Sequence, residues 1–456
     1  MSPIEQYNAL EARIASLIPK FRFSKDINLK LERITHLLDL LGNPQRQFRS
    51  IHVGGTSGKG STATMIATML KQVGYKTGLH TSPNLQILNE RHQIDGQVAP
   101  TSELLAIMEA MWPAIQQVGE DLPQFGLPSY FEAQLAMGCM WFVQHGVEVA
   151  VVEVGVGGRL DATNVLRPEV AVITSVGLDH IGLLGETIEE IIADKAGIIK
   201  PGQTVVTGVT QPSAHEIVAD RADMMGNALW SLGREFDYEV SAEDETFNLF
   251  MPHGRNYFEL ELGVIGEFQR INAACAVAAV LAFDRNFPES AIFTGLKTVA
   301  FPGRLEVMQS RPTVVLDGAH NPDKMGAAAE AMAYSESRTI VVLAMKAGKE
   351  LADTMLQLLP HADHVIATEF GNAGVWRSNS AETIAETIAT LAPNMSLEIV
   401  HDPIAAVEHA IALANPADTV WVTGSLYLVG NVRNYWYPKE KLLESAETTL
   451  PASLII

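Results

Sequence analysis

Cysteine is scarce in these 456 residues: Cys139 and Cys275 stand alone in apolar windows. That argues against a disulfide framework and against a thiolate metal site. No arginine–lysine run occurs, and 32 Lys and Arg against 53 Asp and Glu leave a formal net charge of −21. Such a chain repels DNA and RNA phosphates, so nucleic acid is not expected as a partner. Long apolar runs are missing as well. The longest, Ala273 to Phe283, is well short of the roughly 18 residues that a membrane span needs. The N-terminus carries Glu5 and Glu11 instead of the basic flank and apolar core of an export signal. The expectation is a cytoplasmic protein with no membrane partner. Repeats of about 20 to 50 residues and low-complexity segments are absent too.

What is present is a folding composition. With 47% hydrophobic residues and 35 glycines, the chain can bury enough surface to offset backbone ordering and can make many tight turns. At roughly 150 residues per domain, two or three domains are expected. Apolar positions Ile4, Tyr7, Ile14, Leu17 and Ile18, then Leu31, Ile34, Leu37, Leu38 and Leu41, recur at helical spacing until Gly42 and Pro44 stop the second helix. Ile51 to Val53 reads as a strand running through glycines into a helix over Ser61 to Val73. Further strands are expected at Glu148–Val154, Val170–Ser175 and Thr204–Val209, as in a mostly parallel sheet. Residues 235–262 alternate like a small antiparallel patch, and helix returns from Arg270 to Phe283. After the turn Phe301–Arg304, strand candidates at Thr313–Leu316, Thr339–Leu343, His364–Ala367, Ser396–Val400 and Thr419–Thr423 make a second, doubly wound α/β domain. The boundary is placed at residue 306, giving domains 1–306 and 307–456.

Three clusters follow strands. Gly54-Gly55-Thr56-Ser57-Gly58-Lys59-Gly60-Ser61 opens a helix, where backbone N–H groups and the positive helix end can hold a polyphosphate. Lys59 can reach the β and γ phosphates, and the Ser61 hydroxyl can join a magnesium shell. A plain strand-to-helix turn is the alternative, since Gly60 intervenes where the standard loop puts Ser or Thr straight after Lys. The second cluster, Glu153 to Asn164, sets a carboxylate at the end of the apolar strand Val147–Val152, where α/β proteins gather ligands. It also fits a glycine-rich turn with surface charges. The third, Thr174 to His180, leads to Asp194-Lys195-Ala196-Gly197. His180 reads either as a packed histidine or as a magnesium ligand beside Ser61 and Glu153, although oxygen ligands are commoner for that ion.

In these clusters the chain resembles the folylpolyglutamate synthase and dihydrofolate synthase family, a branch of the Mur ligase superfamily. The resemblance continues through Thr81-Ser82-Pro83 with Glu90-Arg91, Asp194 to Gly202, Phe301 to Glu306, Asp317 to Pro322 and Thr423 to Tyr427, in family order along almost the whole chain. It implies a P-loop-type, mostly parallel ATP-binding domain followed by a Rossmann-like glutamate-ligase domain, with catalysis in the cleft between them. It implies that Lys59 and the amides of Gly55, Thr56, Ser57, Gly58, Gly60 and Ser61 hold ATP, while Ser61, Glu153 and His180 coordinate Mg2+. A carbamylated Lys195 engaging a second Mg2+ is also implied, and a monovalent cation such as K+ is a further candidate cofactor.

By the same resemblance Arg304 and Asp317 contact nucleotide phosphate and ribose, and Asn272 lies near the adenine. Ser82, Pro83 and Arg91 border the pterin, and His320 and Ser425 line the glutamate site. Structural readings stand beside these: Arg304 as an interdomain ion pair, Asp317 and Asn272 as caps, Ser425 as a turn hydroxyl. Two residues depart from the family pattern. Asn84 replaces the usual His after Ser-Pro, which leaves pterin preference open, and Phe268 replaces a His before Gln269 on the adenine side. The implied reaction activates a pteroate or folate carboxylate with ATP as an acyl phosphate, which L-glutamate then attacks, with His320 as a candidate proton acceptor. A hinge is expected at Phe301–Glu306, its closure excluding water, and the protein is expected to act as a monomer. The alternatives are a muramyl-peptide ligase of the same superfamily and a nucleotide-responsive binding protein without catalysis.

Overall fold

The structure, a computed structural model, describes residues 1–18, 31–179, 182–241, 246–333, 337–347, 351–371 and 377–448. Its first sheet is built from β1 (Arg49–Gly54), β2 (Thr77–His80), β3 (His92–Ile94), β4 (Gln97–Val98), β5 (Val149–Glu153), β6 (Val170–Ile173), β7 (Thr204–Thr207) and β8 (Ala228–Ser231). Their order is β4-β3-β2-β5-β1-β6-β7-β8. Pairing is parallel from β2 to β8 and antiparallel at β3 and β4.

Successive side chains of a strand face opposite sides of its sheet, and that sorts the core. Ile51, Val53, Val149, Val151 and Val172 pack with helices Lys59–Val73 and Glu267–Phe283. Ala150 and Val152 face helices Pro3–Ala15, Glu32–Leu40, Thr101–Asp121 and Tyr130–Gln144. Ala171, Ile173 and Val205 meet Ile188–Lys195 and Pro212–Met224. The longest apolar run lies within Glu267–Phe283, a helix buried almost all round, as expected where no face meets water.

The antiparallel patch forms β9 (Asp237–Val240), β10 (Phe247–Met251) and β11 (Arg255–Leu260). The second sheet contains β12 (Glu306–Ser310), β13 (Thr313–Leu316), β14 (Thr339–Leu343), β15 (His364–Ala367), β16 (Ser396–Ile399) and β17 (Thr419–Thr423), ordered β12-β13-β17-β14-β15-β16. It has six strands where five were expected. The addition, β12, is an antiparallel edge strand whose half-exposed sequence lacks a buried run.

The chain links the two sheets at Phe301–Glu306 and again beyond Arg433. The Arg433 guanidinium donates to both Glu306 carboxylate oxygens at 2.9 to 3.1 Å. Gln86 of the first lobe accepts from Arg433 Nη1 at 2.6 Å and donates to the Tyr437 carbonyl at 2.9 Å. The last helix, Lys439–Glu447, lies back on the first lobe. Leu443 is buried there, the Lys439 amine is 4.0 Å above the Tyr7 ring, and Glu447 accepts the Ser102 N–H at 3.0 Å.

Candidate active site

The loop between β1 and helix Lys59–Val73 is clamped by the end of β6. Thr174 Oγ1 donates to the Ser57 carbonyl at 2.6 Å, the Thr56 N–H donates to the Ser175 carbonyl at 2.9 Å, and the Ser57 N–H donates to Ser175 Oγ at 3.0 Å. Gly55 has φ +140°, and a Cβ there would stand 2.1 Å from Thr174 Oγ1. Gly58 has φ +81°, and its Cβ would stand 2.1 Å from Asn272 Oδ1. Only glycine fits both places. The helix that starts at Lys59 turns its unpaired N–H groups and positive end toward this loop, an arrangement suited to phosphate.

Glu153, the last residue of β5, shares a face with Val149 and Val151 and so meets the same helix. Its Oε2 would be 3.4 Å from a Cβ on Gly60 and accepts the Ser82 N–H at 2.8 Å. Burial pushes its carboxyl above the usual range, while Lys59, the Ser82 N–H, Arg304 and Arg91 pull the other way. A buried carboxylate at a phosphate loop, under the charge of Lys59, Arg304 and Arg91, is a hard-oxygen site. With the Ser61 hydroxyl at the same helix start, its donors suit Mg2+. Among the described residues the one His–carboxylate cluster with metal-ligand spacing, Glu369, Glu382 and His401, lies elsewhere. There each ring nitrogen of His401 faces a different carboxylate, Nδ1 at 3.3 Å from Glu369 and Nε2 at 3.4 Å from Glu382, which is an ion-pair geometry.

Lys59 folds onto its own loop, donating to the Thr56 carbonyl at 3.3 Å. Lys195, the buried end of helix Ile188–Lys195, donates to the Gly55 carbonyl at 3.0 Å. Burial, and after it Lys59, lowers its amine to about 8, against the pull of Asp179, Asp194 and Asp161.

From the second lobe, Arg304 acts electrostatically on both Glu153 and Asp317. Its Nη1 would be 3.3 Å from a Cβ on Gly318. Asp317 is buried, and burial raises its carboxyl although it accepts the Leu305 and Ala319 N–H groups at 3.0 and 2.8 Å. The ion pair at the junction is Arg433–Glu306, and among the described residues Arg304 makes none. Asp323 also reaches the first lobe, with Oδ2 3.6 Å from a Cβ position on Gly177.

His320 and Ser425 follow β13 and β17, which are neighbours. His320 Nδ1 is 2.8 Å from the Gly318 carbonyl, and Ser425 Oγ accepts the Tyr427 N–H at 3.1 Å as a helix cap. Near Ser82-Pro83, Arg91 is 8% exposed, donates from Nε to Asn84 Oδ1 at 2.9 Å and lies 5.4 Å from the Tyr130 ring centroid. Asn84, the departure from the family pattern, is therefore an anchor for Arg91. Asn272 donates to Gln269 Oε1 at 2.9 Å beside Gly58, next to half-exposed Phe268.

Thus Gly55, Gly58, Lys59, Gly60, Glu153, Lys195, Asn272 and Arg304 form one neighbourhood. His180 lies outside the described residues. Thr174, Ser175, Asp161 and Asp323 were not singled out from the sequence as site residues. The first three lie inside the quoted clusters, whereas Asp323 stands just past Asn321-Pro322 with no signal beyond an ordinary helix start.

Residues 53–280 match the Mur ligase middle domain, and residues 303–426 match the Mur ligase, glutamate ligase domain. The chain is 34% identical over 415 residues to the dihydrofolate synthase/folylpolyglutamate synthase of Bacillus subtilis, across 88% of this chain and 94% of that one. The solved folylpolyglutamate synthase of Mycobacterium tuberculosis complexed with ADP is similar with a TM-score of 0.87 and 31% identity, covering 95% of this chain and 99% of that one. The bifunctional enzyme of Yersinia pestis complexed with AMPPNP and Mn ion gives a TM-score of 0.81 and 27% identity, covering 94% and 98%.

Proposed function

The chain belongs to the folylpolyglutamate synthase and dihydrofolate synthase family of the Mur ligase superfamily, and on that premise we propose that it serves both dihydropteroate and reduced folates. It is an ATP-dependent ligase that joins L-glutamate to a folate-type carboxylate. The observation that carries the reading is Glu153, buried beside Gly60 of the phosphate loop, with the charges of Lys59, Arg304 and Arg91 acting on it.

A carboxylate and a triphosphate repel one another, so their reaction needs positive charge where the transferred phosphoryl group passes. Lys59 and the loop amides hold the ATP phosphates, and Arg304 adds charge from the second lobe. Ser61 and Glu153, with His180 as the family resemblance implies, would hold Mg2+, which would add to the neutralisation of the phosphates. The substrate carboxylate oxygen bonds to the γ-phosphorus and ADP leaves. The glutamate amine then bonds to the acyl carbon, phosphate leaves, and the amine proton passes to a base, for which His320 is the candidate. Arg91, with Asn84 and Tyr130, borders the pterin, and Ser425 and His320 border the incoming glutamate. Arg304 between Glu153 and Asp317, and Asp323 beside Gly177, support a site completed by both lobes, closing about Phe301–Glu306. Identical lobe orientation with and without ATP and substrates would overturn that closure. We place the enzyme in the cytoplasm; among the described residues no helix is long and apolar enough to cross a membrane.

The test offers purified protein ATP, Mg2+ and L-glutamate with dihydropteroate, tetrahydrofolate or a muramyl-peptide precursor, and records ADP and product mass. Glutamate addition to both pterin compounds is expected, and Lys59→Ala should abolish it. ADP release with the muramyl compound alone would refute the assignment, and silence with all three would mark a binding protein.

A further inference from the structure

On the face of the first sheet opposite Glu153, a chain of buried polar groups ends at the turn that Glu153 enters. His52 lies in β1 in register with Val152, the residue before Glu153, and is fully buried. Its Nε2 is 2.8 Å from Thr163 Oγ1. Thr163 Oγ1 in turn donates to Asp161 Oδ1 at 2.5 Å, and the Thr163 N–H reaches the same oxygen at 3.0 Å. The other oxygen, Asp161 Oδ2, accepts the Val156 N–H at 2.9 Å and crowds Gly155, where a Cβ would be 2.9 Å away.

The directions of the bonds are fixed. Because the Thr163 hydroxyl donates to the carboxylate, Oγ1 accepts from His52 Nε2, and burial, which lowers the His52 imidazole to about 3, keeps the ring neutral with its hydrogen on Nε2. His52 Nδ1 is buried with no partner, so it carries no hydrogen that would need one. Beside this chain, Lys200 Nζ donates to the Asn164 and Leu166 carbonyls at 2.6 Å each, and Asn164 Nδ2 donates to the Arg159 carbonyl at 2.9 Å. The loop from Gly155 to Leu166 is thus pinned at its far end by Lys200 and at its near end by Asp161. An apolar strand residue in place of His52 would leave the Thr163–Asp161 pair without its anchor in the sheet.

We propose that His52 is a positioning residue for the metal-binding carboxylate: acting through Thr163 and Asp161, it fixes the Gly155–Val156 turn and so the direction in which Glu153 leaves β5. The inference rests on the reading of Glu153 as a magnesium ligand. Groups that orient a ligand from behind typically change metal affinity by about 10- to 100-fold when removed.

The experiment measures Mn2+ affinity of the protein–AMPPNP complex by electron paramagnetic resonance, with nucleotide affinity in EDTA and thermal melting alongside. His52→Leu and Thr163→Val should each weaken Mn2+ binding about tenfold and leave nucleotide affinity in EDTA unchanged. The double variant should be no worse than either single one. His52→Gln, which restores an N–H toward Thr163, and Thr163→Ser, which keeps the hydroxyl, should bind Mn2+ like the parent. Unaltered Mn2+ affinity in His52→Leu and Thr163→Val would overturn the proposal, as would equal loss of nucleotide in EDTA. If His52→Leu does not fold, the contrast between Thr163→Val and Thr163→Ser decides. Glu153→Gln separates the two layers: if it leaves Mn2+ affinity intact, the metal reading itself fails, and if it alone weakens Mn2+, only the role of His52 falls.

Discussion

Replacing Arg433 by Met tests a buried ion pair of the second lobe that also reaches across to Gln86 of the first. The Arg433 and Glu306 side chains are 6% and 11% exposed, and the guanidinium also reaches Gln86 and lies 4.4 Å over the Tyr437 ring. Methionine keeps most of the apolar stem but leaves Glu306 with the Gly303 N–H at 2.7 Å and no cation. Removing one partner of a buried pair typically costs about 3 to 5 kcal/mol, because the other charge stays behind. The retained N–H argues for the low end, about 3 kcal/mol. At about 2 to 4 °C per kcal/mol for a unit of this size, melting should fall by about 6 to 12 °C. Calorimetry and urea unfolding of Arg433→Met, Glu306→Leu and the double variant would measure it, and the double variant should recover much of the loss. Lys297→Met, which breaks the exposed Lys297–Glu261 pair with side chains 62% and 54% exposed, should cost under about 1 kcal/mol. If Arg433→Met costs no more than Lys297→Met, burial adds nothing to the Arg433–Glu306 pair and the reasoning fails.

Gly58→Ala must adopt φ +81° and displace Asn272. The strain of about 1 to 2 kcal/mol falls on stability, but the displaced Asn272 and the loop it touches should also reduce ATP affinity, read by calorimetry, about tenfold. Gly74→Ala, at φ +97° with open space around it, should lose stability without loss of ATP affinity, and equal effects would refute the loop assignment. Asn84→Ala removes the acceptor of Arg91 Nε, a bond to a charged group worth about 1.5 to 3 kcal/mol. KM for the pterin substrate should rise about tenfold with KM for ATP unchanged, and the reverse pattern would move Arg91 out of the pterin site. Burial and Lys59 hold Lys195 at about 8, below the ordinary value of about 10.4. Between these values the unfolded chain keeps a proton that the folded chain has lost, so stability at this position rises from about pH 8 towards 10.4 and is lowest below pH 8. Lys195→Met removes that slope. In urea unfolding its stability relative to the parent should be most favourable near pH 7 and decline by pH 9.5, and a pH-independent difference would refute the shift.

How much of this was visible in advance depends on whether a residue's neighbours are set by its own segment. Thr313–Leu316, Thr339–Leu343, His364–Ala367 and Thr419–Thr423 form strands at the expected bounds, because a short β-branched run between turn residues has few other places to go. β12 was not legible: Val307 is 53% exposed, and an edge strand sheltered on one side carries little apolar signal. The site divides in the same way. Gly55, Gly58, Lys59 and Glu153 were legible because glycines and a lone carboxylate beside an apolar strand are unusual locally. Arg433 and Glu306 are ordinary residues 127 positions apart, and nothing in either segment names the other. His52 stands between these cases. A histidine between Ile51 and Val53 must face away from the side those two share, and the structure shows that side packed on the helix that follows the phosphate loop. What the sequence could not supply was the register that sets His52 beside Val152 and the return of the chain that brings Thr163 within reach. Composition marks where a backbone can approach phosphate, but the strand pairing decides which buried groups stand behind the residues that would do so.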